Sequence, residues 1–136
     1  MVQEALDKDK PVGAICNGAS FLCAHGFLNN VKHTGNGLDQ LKQWGGERYT
    51  NETGYVNAQA VSDKNIVTAN GVGHLEFTRE MLSLLKANTS EKIAAWYDFY
   101  KKYFTLTGVS YERVSAPDKN SGEEHPNPGP QPEPHP

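Results

Sequence analysis

The run Val12-Gly13-Ala14-Ile15-Cys16-Asn17-Gly18-Ala19 constrains this chain more than any other stretch. Val12 to Ile15 is short, uncharged and apolar, as a buried parallel strand requires. Ala19 to Ala24 reads as a helix, with Gly26 as its stop. A strand that becomes a helix within Cys16-Asn17-Gly18 makes a sharp elbow. Such a turn lifts its central side chain out at the carboxyl edge of the sheet, where α/β proteins gather their sites. The helix N-terminus then lies behind Cys16, and its unpaired N–H groups favour a thiolate. The Asn17 N–H is placed to donate to an oxyanion. Gly18 is expected to let helix and strand approach closely. The bland reading of Cys16 is a small residue packed under the sheet. Cys23, among Phe21, Leu22 and Ala24, reads as a core thiol.

The rest of the chain alternates in the same way. Residues 2–8 suit a helical segment that Lys10-Pro11 ends. Val31 to Thr34 is a strand candidate, and Leu38 to Trp44 a short amphipathic helix ended by Gly45-Gly46. Tyr55 to Val61 and Asn65 to Ala69 read as strands, with a hairpin turn at Ser62-Asp63-Lys64. His74 to Lys86 carries a helical apolar stripe. Ser90 is a capping residue for a last helix, whose Ile93, Trp96, Tyr97, Tyr100 and Phe104 form an aromatic face suited to core or dimer contacts. Seven of the eight prolines fall in residues 117–136. The chain therefore divides into residues 1–105 and a Pro-rich tail, 106–136, expected to be disordered and partly polyproline II.

Composition narrows the function classes. A net charge of −3 and the lack of a basic, aromatic-interleaved cluster argue against nucleic acid. No apolar run approaches the ~20 residues of a membrane span. Two cysteines without a disulfide framework, and no visible signal peptide, suit the cytosol. The histidines His125 and His135 are too sparse to suggest a metal site, and no cofactor is expected.

The segment from Lys10 to Ala19 resembles the nucleophile segment of the ThiJ/PfpI family, in the class I glutamine amidotransferase-like superfamily. Val31 to Asn36, Gly45-Gly46 and Ile66 to Phe77 follow in the family's order and spacing. The resemblance covers roughly residues 1–87. It implies an α/β, flavodoxin-like three-layer sandwich, here lacking its N-terminal strands and helices. It also implies a homodimer, or a chain supplying the missing half. Glyoxalase, deglycase and hydrolase activities on small carbonyl or amide compounds occur in the family, as do oxidation sensors and chaperones active in stress. The family's acidic partner of the cysteine has no counterpart assignable here.

The resemblance also frames the question of a base. Counting on from Cys16, the position where many members carry a histidine falls on Asn36, which cannot take a proton at neutral pH. His33 lies three residues earlier, and a shift of three in a strand reverses the facing side. His74-Leu75-Glu76 stands where the amidotransferases carry His-Pro-Glu. The expected site is thus Cys16 as nucleophile, His33 or His74 as base, and Asn17, Gly18, Asn36 and Gly71 around the oxyanion and pocket. His25 is expected at the surface, and Asn70 and Gly73 at the rim. Three readings stay open: an enzyme, a non-catalytic thiol sensor or chaperone-like module, and an inactive partial domain.

Overall fold

The structure, a computed structural model, describes residues 1–106; most of the Pro-rich segment thus lies outside the described residues. Helix α1 (Val2–Asp7) leads into strand β1 (Val12–Ile15), and the elbow opens α2 (Asn17–Ala24). Helix α3 spans Leu38–Gly45, and strands β2 (Ala60–Asp63) and β3 (Ile66–Ala69) follow. Helices α4 (His74–Leu84) and α5 (Ser90–Leu106) complete the described fold.

The sheet runs β1-β3-β2, with β1 parallel and β2 antiparallel to β3. Strand β3 is central and buried at every position, which its uncharged Ile66-Val67-Thr68-Ala69 permits. The elbow strand β1 is an edge strand among the described residues. Ala14 and Thr68 are register partners and so share a face, as do Gly13 and Val67. Ala14 joins a core of Leu22, Cys23, Leu28, Val31, Leu41, Tyr49 and Ile66 beneath α2 and α3. Gly13 faces the other way: a Cβ there would lie 2.8 Å from both the Phe77 ring and Met81 Sδ of α4. Helices therefore cover both faces, giving three layers.

Most sequence-derived elements appear close to their expected bounds, and the differences have local causes. Helix α2 starts at Asn17 rather than Ala19. The hairpin turns at Lys64-Asn65, where Lys64 takes a φ of 52°. Val31 to Thr34 is not a strand: His33 makes one bridge to Tyr55, and side chains satisfy the neighbouring backbone. The Asp63 carboxylate accepts from Lys32 N, and Thr68 Oγ1 accepts from Thr34 N. Strand β2 begins only at Ala60, because Glu52–Gly54 is a 3-10 turn and Tyr55 serves that single bridge. Thr89, not Ser90, caps α5, its hydroxyl accepting from Lys92 N. Helix α5 docks on α4 through buried Ile93, Arg79 over the Tyr97 ring, and Lys101 on Glu76. Phe99, Tyr100 and Tyr103 face outward.

Candidate active site

Parallel pairing builds the site. The register sets Ile15 beside Ala69, so β1 and β3 end level with each other. Cys16 N donates to Ala69 O at 3.0 Å, tying the elbow to the β3 end. The chain after β3 continues as Asn70-Gly71, which places that loop against Cys16. This is the crevice at the carboxyl ends of parallel strands.

Cys16 adopts φ 58° and ψ −124°. A non-glycine residue there carries about 1–3 kcal/mol of strain, held by the structure around it. The ends of that constraint are the Ala69 carbonyl before the turn and helix α2 after it, whose Ala19 N bonds Cys16 O. The thiol is half-buried, while Asn17 at the first turn of α2 is exposed. Gly18 does not do what the sequence suggested, because a Cβ there would meet Ala14 Cβ at an ordinary 3.5 Å.

Asn36 reaches this thiol from the loop before α3. Its Nδ2 donates to Cys16 Sγ at 3.3 Å, and its Oδ1 accepts the Gly71 N–H at 2.9 Å. The second bond fixes the first: a backbone N–H can only donate, so Oδ1 must face Gly71 and the amino group must face sulfur. Gly71 is needed close by, since a Cβ on it would lie 3.2 Å from Sγ. Gly73 is tighter still, with the Gln59 carbonyl in the space of a Cβ. Asn70 is buried, and its side chain accepts from Val72 N.

The histidines divide. His33 is fully buried, and both ring nitrogens are engaged away from the sulfur. Nδ1 lies 2.8 Å from Val31 O, and Nε2 lies 2.6 Å from the Tyr49 hydroxyl. A carbonyl only accepts, so Nδ1 carries the hydrogen and Nε2 receives the Tyr49 O–H. Burial pushes the imidazole below its ordinary value, opposed by the Val31 bond. Burial likewise pushes the Tyr49 phenol up, with Cys23, Glu52 and Tyr55 adding to the effect. This is a neutral core pair.

His74 opens α4 half-buried, and its carbonyl accepts the Thr78 hydroxyl. Glu76, two residues on, is buried and holds Lys101 at 2.8 Å, so it ties α5 down. His25 is exposed, with its ring tilted against that of Phe21. Cys23 is fully buried, its S–H facing the Leu41 carbonyl at 3.2 Å, and burial pushes it up to about 11. Among the described residues, no cluster of three His, Cys, Asp or Glu could hold a metal ion, and no helix is long and apolar enough to cross a membrane.

Sequence reasoning placed Cys16, Asn17, Asn36 and Gly71 in the site without seeing what Asn36 does there. A separation of 35 residues between Asn36 and Gly71 leaves no local signal for their bond.

Comparison with known proteins agrees with this architecture. The sequence profile of the DJ-1/PfpI family matches residues 1–84. The chain is 38% identical over 110 residues to the uncharacterized protease YdeA of Bacillus subtilis, covering 75% of this chain and 55% of that protein. It is 38% identical over 100 residues to the uncharacterized protease YoaZ of the same organism, covering 74% and 47%. The chain thus spans about half the length of these curated relatives. The crystal structure of a DJ-1 superfamily protein, Atu0886 from Agrobacterium tumefaciens, superposes with a TM-score of 0.68 at 35% identity, over 75% of this chain and 53% of that one. A thiJ/pfpI family protein from Bacillus anthracis gives 0.68 at 32% identity, over 82% and 54%. The fold is the flavodoxin-like α/β sandwich of that superfamily, present here in part. An elbow cysteine in this fold, with the family profile across 84 of 136 residues, places the chain in the DJ-1/PfpI family.

Proposed function

We propose that this chain carries the nucleophile half of a cysteine-dependent enzyme acting on small carbonyl or amide compounds. The observation that carries the reading is Cys16 itself: a strained, half-buried thiol at a strand–helix elbow, with a side-chain N–H aimed at its sulfur. In the proposed step, Cys16 gives its S–H proton to solvent and Sγ bonds to a carbonyl carbon. The carbonyl π pair moves onto oxygen, where the Asn17 N–H receives it. With an amide, collapse of the adduct restores the carbonyl and expels the amine, which takes a proton from water. A second water then frees the acyl group from sulfur. With an aldehyde, the adduct takes a proton from solvent and remains a hemithioacetal. The protease names of the two Bacillus subtilis relatives support the hydrolytic branch.

One observation favours a second reading. Among the described residues, the side chain that hydrogen-bonds the sulfur is Asn36, which takes no proton, while both His33 nitrogens are bonded elsewhere. A thiol site without a base fits a non-catalytic oxidation-sensing module. His74 is the remaining base candidate of the enzyme reading. In either case the chain works in a reducing compartment such as the cytosol, and β1 pairs along its open edge with a second copy or a further polypeptide segment.

Turnover separates the readings. Methylglyoxal and a panel of small amides are incubated with the wild-type chain, Cys16→Ser and Cys23→Ser. The enzyme reading expects amide turnover and a methylglyoxal adduct in wild type and Cys23→Ser, and the loss of both in Cys16→Ser. Turnover that survives Cys16→Ser sinks it, and oxidation of Cys16 to a sulfinate without turnover selects the sensor.

A further inference from the structure

The Asn36 amide bonds two partners at once, and each bond dictates the other. Gly71 N–H occupies Oδ1 at 2.9 Å, so the amide cannot rotate without abandoning a backbone donor. The amino group is thereby held 3.3 Å from Cys16 Sγ as a fixed donor. The loop bearing Asn36 is pinned in its turn: Thr34 N donates to Thr68 Oγ1 and Thr34 Oγ1 to the Ala58 carbonyl. Gly35 packs on Leu41, with room for a Cβ only 3.1 Å from that side chain. The donor therefore stands in place before any ligand arrives.

A hydrogen bond donated to sulfur stabilises S⁻ relative to S–H, and does so without removing a proton. We infer that Asn36, oriented by Gly71, is a positioning residue for Cys16: it holds a fixed N–H donor on the sulfur where a proton acceptor would otherwise stand. No proton passes through Asn36 at any stage. The inference concerns the state of the sulfur, whichever reading of Cys16 holds. It deepens the proposed enzyme by naming the ligands such a site takes: electrophiles that react with the sulfur without help from a side-chain base.

Asn36→Asp tests this with almost no change of shape. Aspartate keeps an oxygen for the Gly71 N–H but exchanges the donor for a negative charge beside sulfur. Cys16 alkylation by iodoacetamide is followed site by site by mass spectrometry at pH 7 in the full chain. The expected result is at least a tenfold slower rate in Asn36→Asp, with Gly71 amide exchange still protected. Asn36→Ala is expected to slow the same rate and also to release Gly71 amide protection. The aspartate charge by itself slows alkylation, so the neutral variant decides: Asn36→Ala, which removes the donor and adds no charge, reacting as fast as wild type overturns the inference. The outcome is independent of turnover: slowed alkylation in a chain without any enzymatic activity would keep the inference while removing the enzyme.

Discussion

At the residue scale, the two cysteines and His33 show how position decides chemistry. Cys23 lies seven residues after Cys16, on the helix that the elbow opens, yet it is sealed among Leu41, Tyr49 and Gly45 and pushed up to about 11. Its thiol stays protonated and inaccessible through neutral pH. His33 was a base candidate in the sequence because it lies near the expected position. Its burial with Tyr49 makes it a structural group with a pH signature instead. The unfolded chain takes a proton on this imidazole near its ordinary value of 6.5, while the folded state resists it. The unfolded state thus binds more protons across the window below 6.5, so the contribution is intact above 6.5 and lost as pH falls toward the lowered folded value. Urea midpoints from pH 7.5 downward should fall in wild type, with a limiting slope of about 1.4 kcal/mol per pH unit. His33→Gln should be less stable at pH 7.5 and flatter across the same window. An unchanged acid limb in the variant would show that another group sets it. Cys16 was legible from its neighbours because an elbow is a local pattern. The Tyr49–His33 bond joins residues 16 apart and left no trace in spacing.

At the element scale, the sequence displayed helices and the buried strands well, because their apolar periodicity is local. It overextended the strands around Val31 to Thr34 and Tyr55 to Val61. There the backbone is satisfied by the side chains of Asp63 and Thr68 and by a 3-10 turn, not by a ladder. It also assigned close packing to the wrong glycine. Gly18 has ordinary room, whereas Gly13 lies against Phe77 and Met81 where α4 crosses β1. The two substitutions to alanine should therefore part. Gly13→Ala pushes aside side-chain ends, the Phe77 ring edge and Met81 Sδ, and is expected to cost about 1 kcal/mol. Gly18→Ala sits inside α2 with space for its methyl and is expected to be neutral or to add up to about 1 kcal/mol. Thermal melts of both variants check this, and a larger loss in Gly18→Ala than in Gly13→Ala would contradict the packing described.

At the scale of the whole molecule, the sheet has an unsettled side. Val12 N bonds Asn65 O and Cys16 N bonds Ala69 O, so alternate residues of β1 point their backbone groups at β3. Gly13 and Ile15 then turn their N–H and C=O groups toward the other edge, where no strand pairs with β1 among the described residues. A short apolar edge of this kind is a template for another strand. The chain spans about half of its relatives' length, so a further segment or a second copy is the natural cover. For the chain on its own the second copy is the available one. Sedimentation equilibrium should then give a mass above the monomer that rises with concentration. Ile15→Pro removes an N–H from the open edge while leaving the Val12 and Cys16 bonds to β3 in place. It should shift the population toward monomer. A wild-type chain that stays monomeric at every concentration would show that a second copy does not cover the β1 edge.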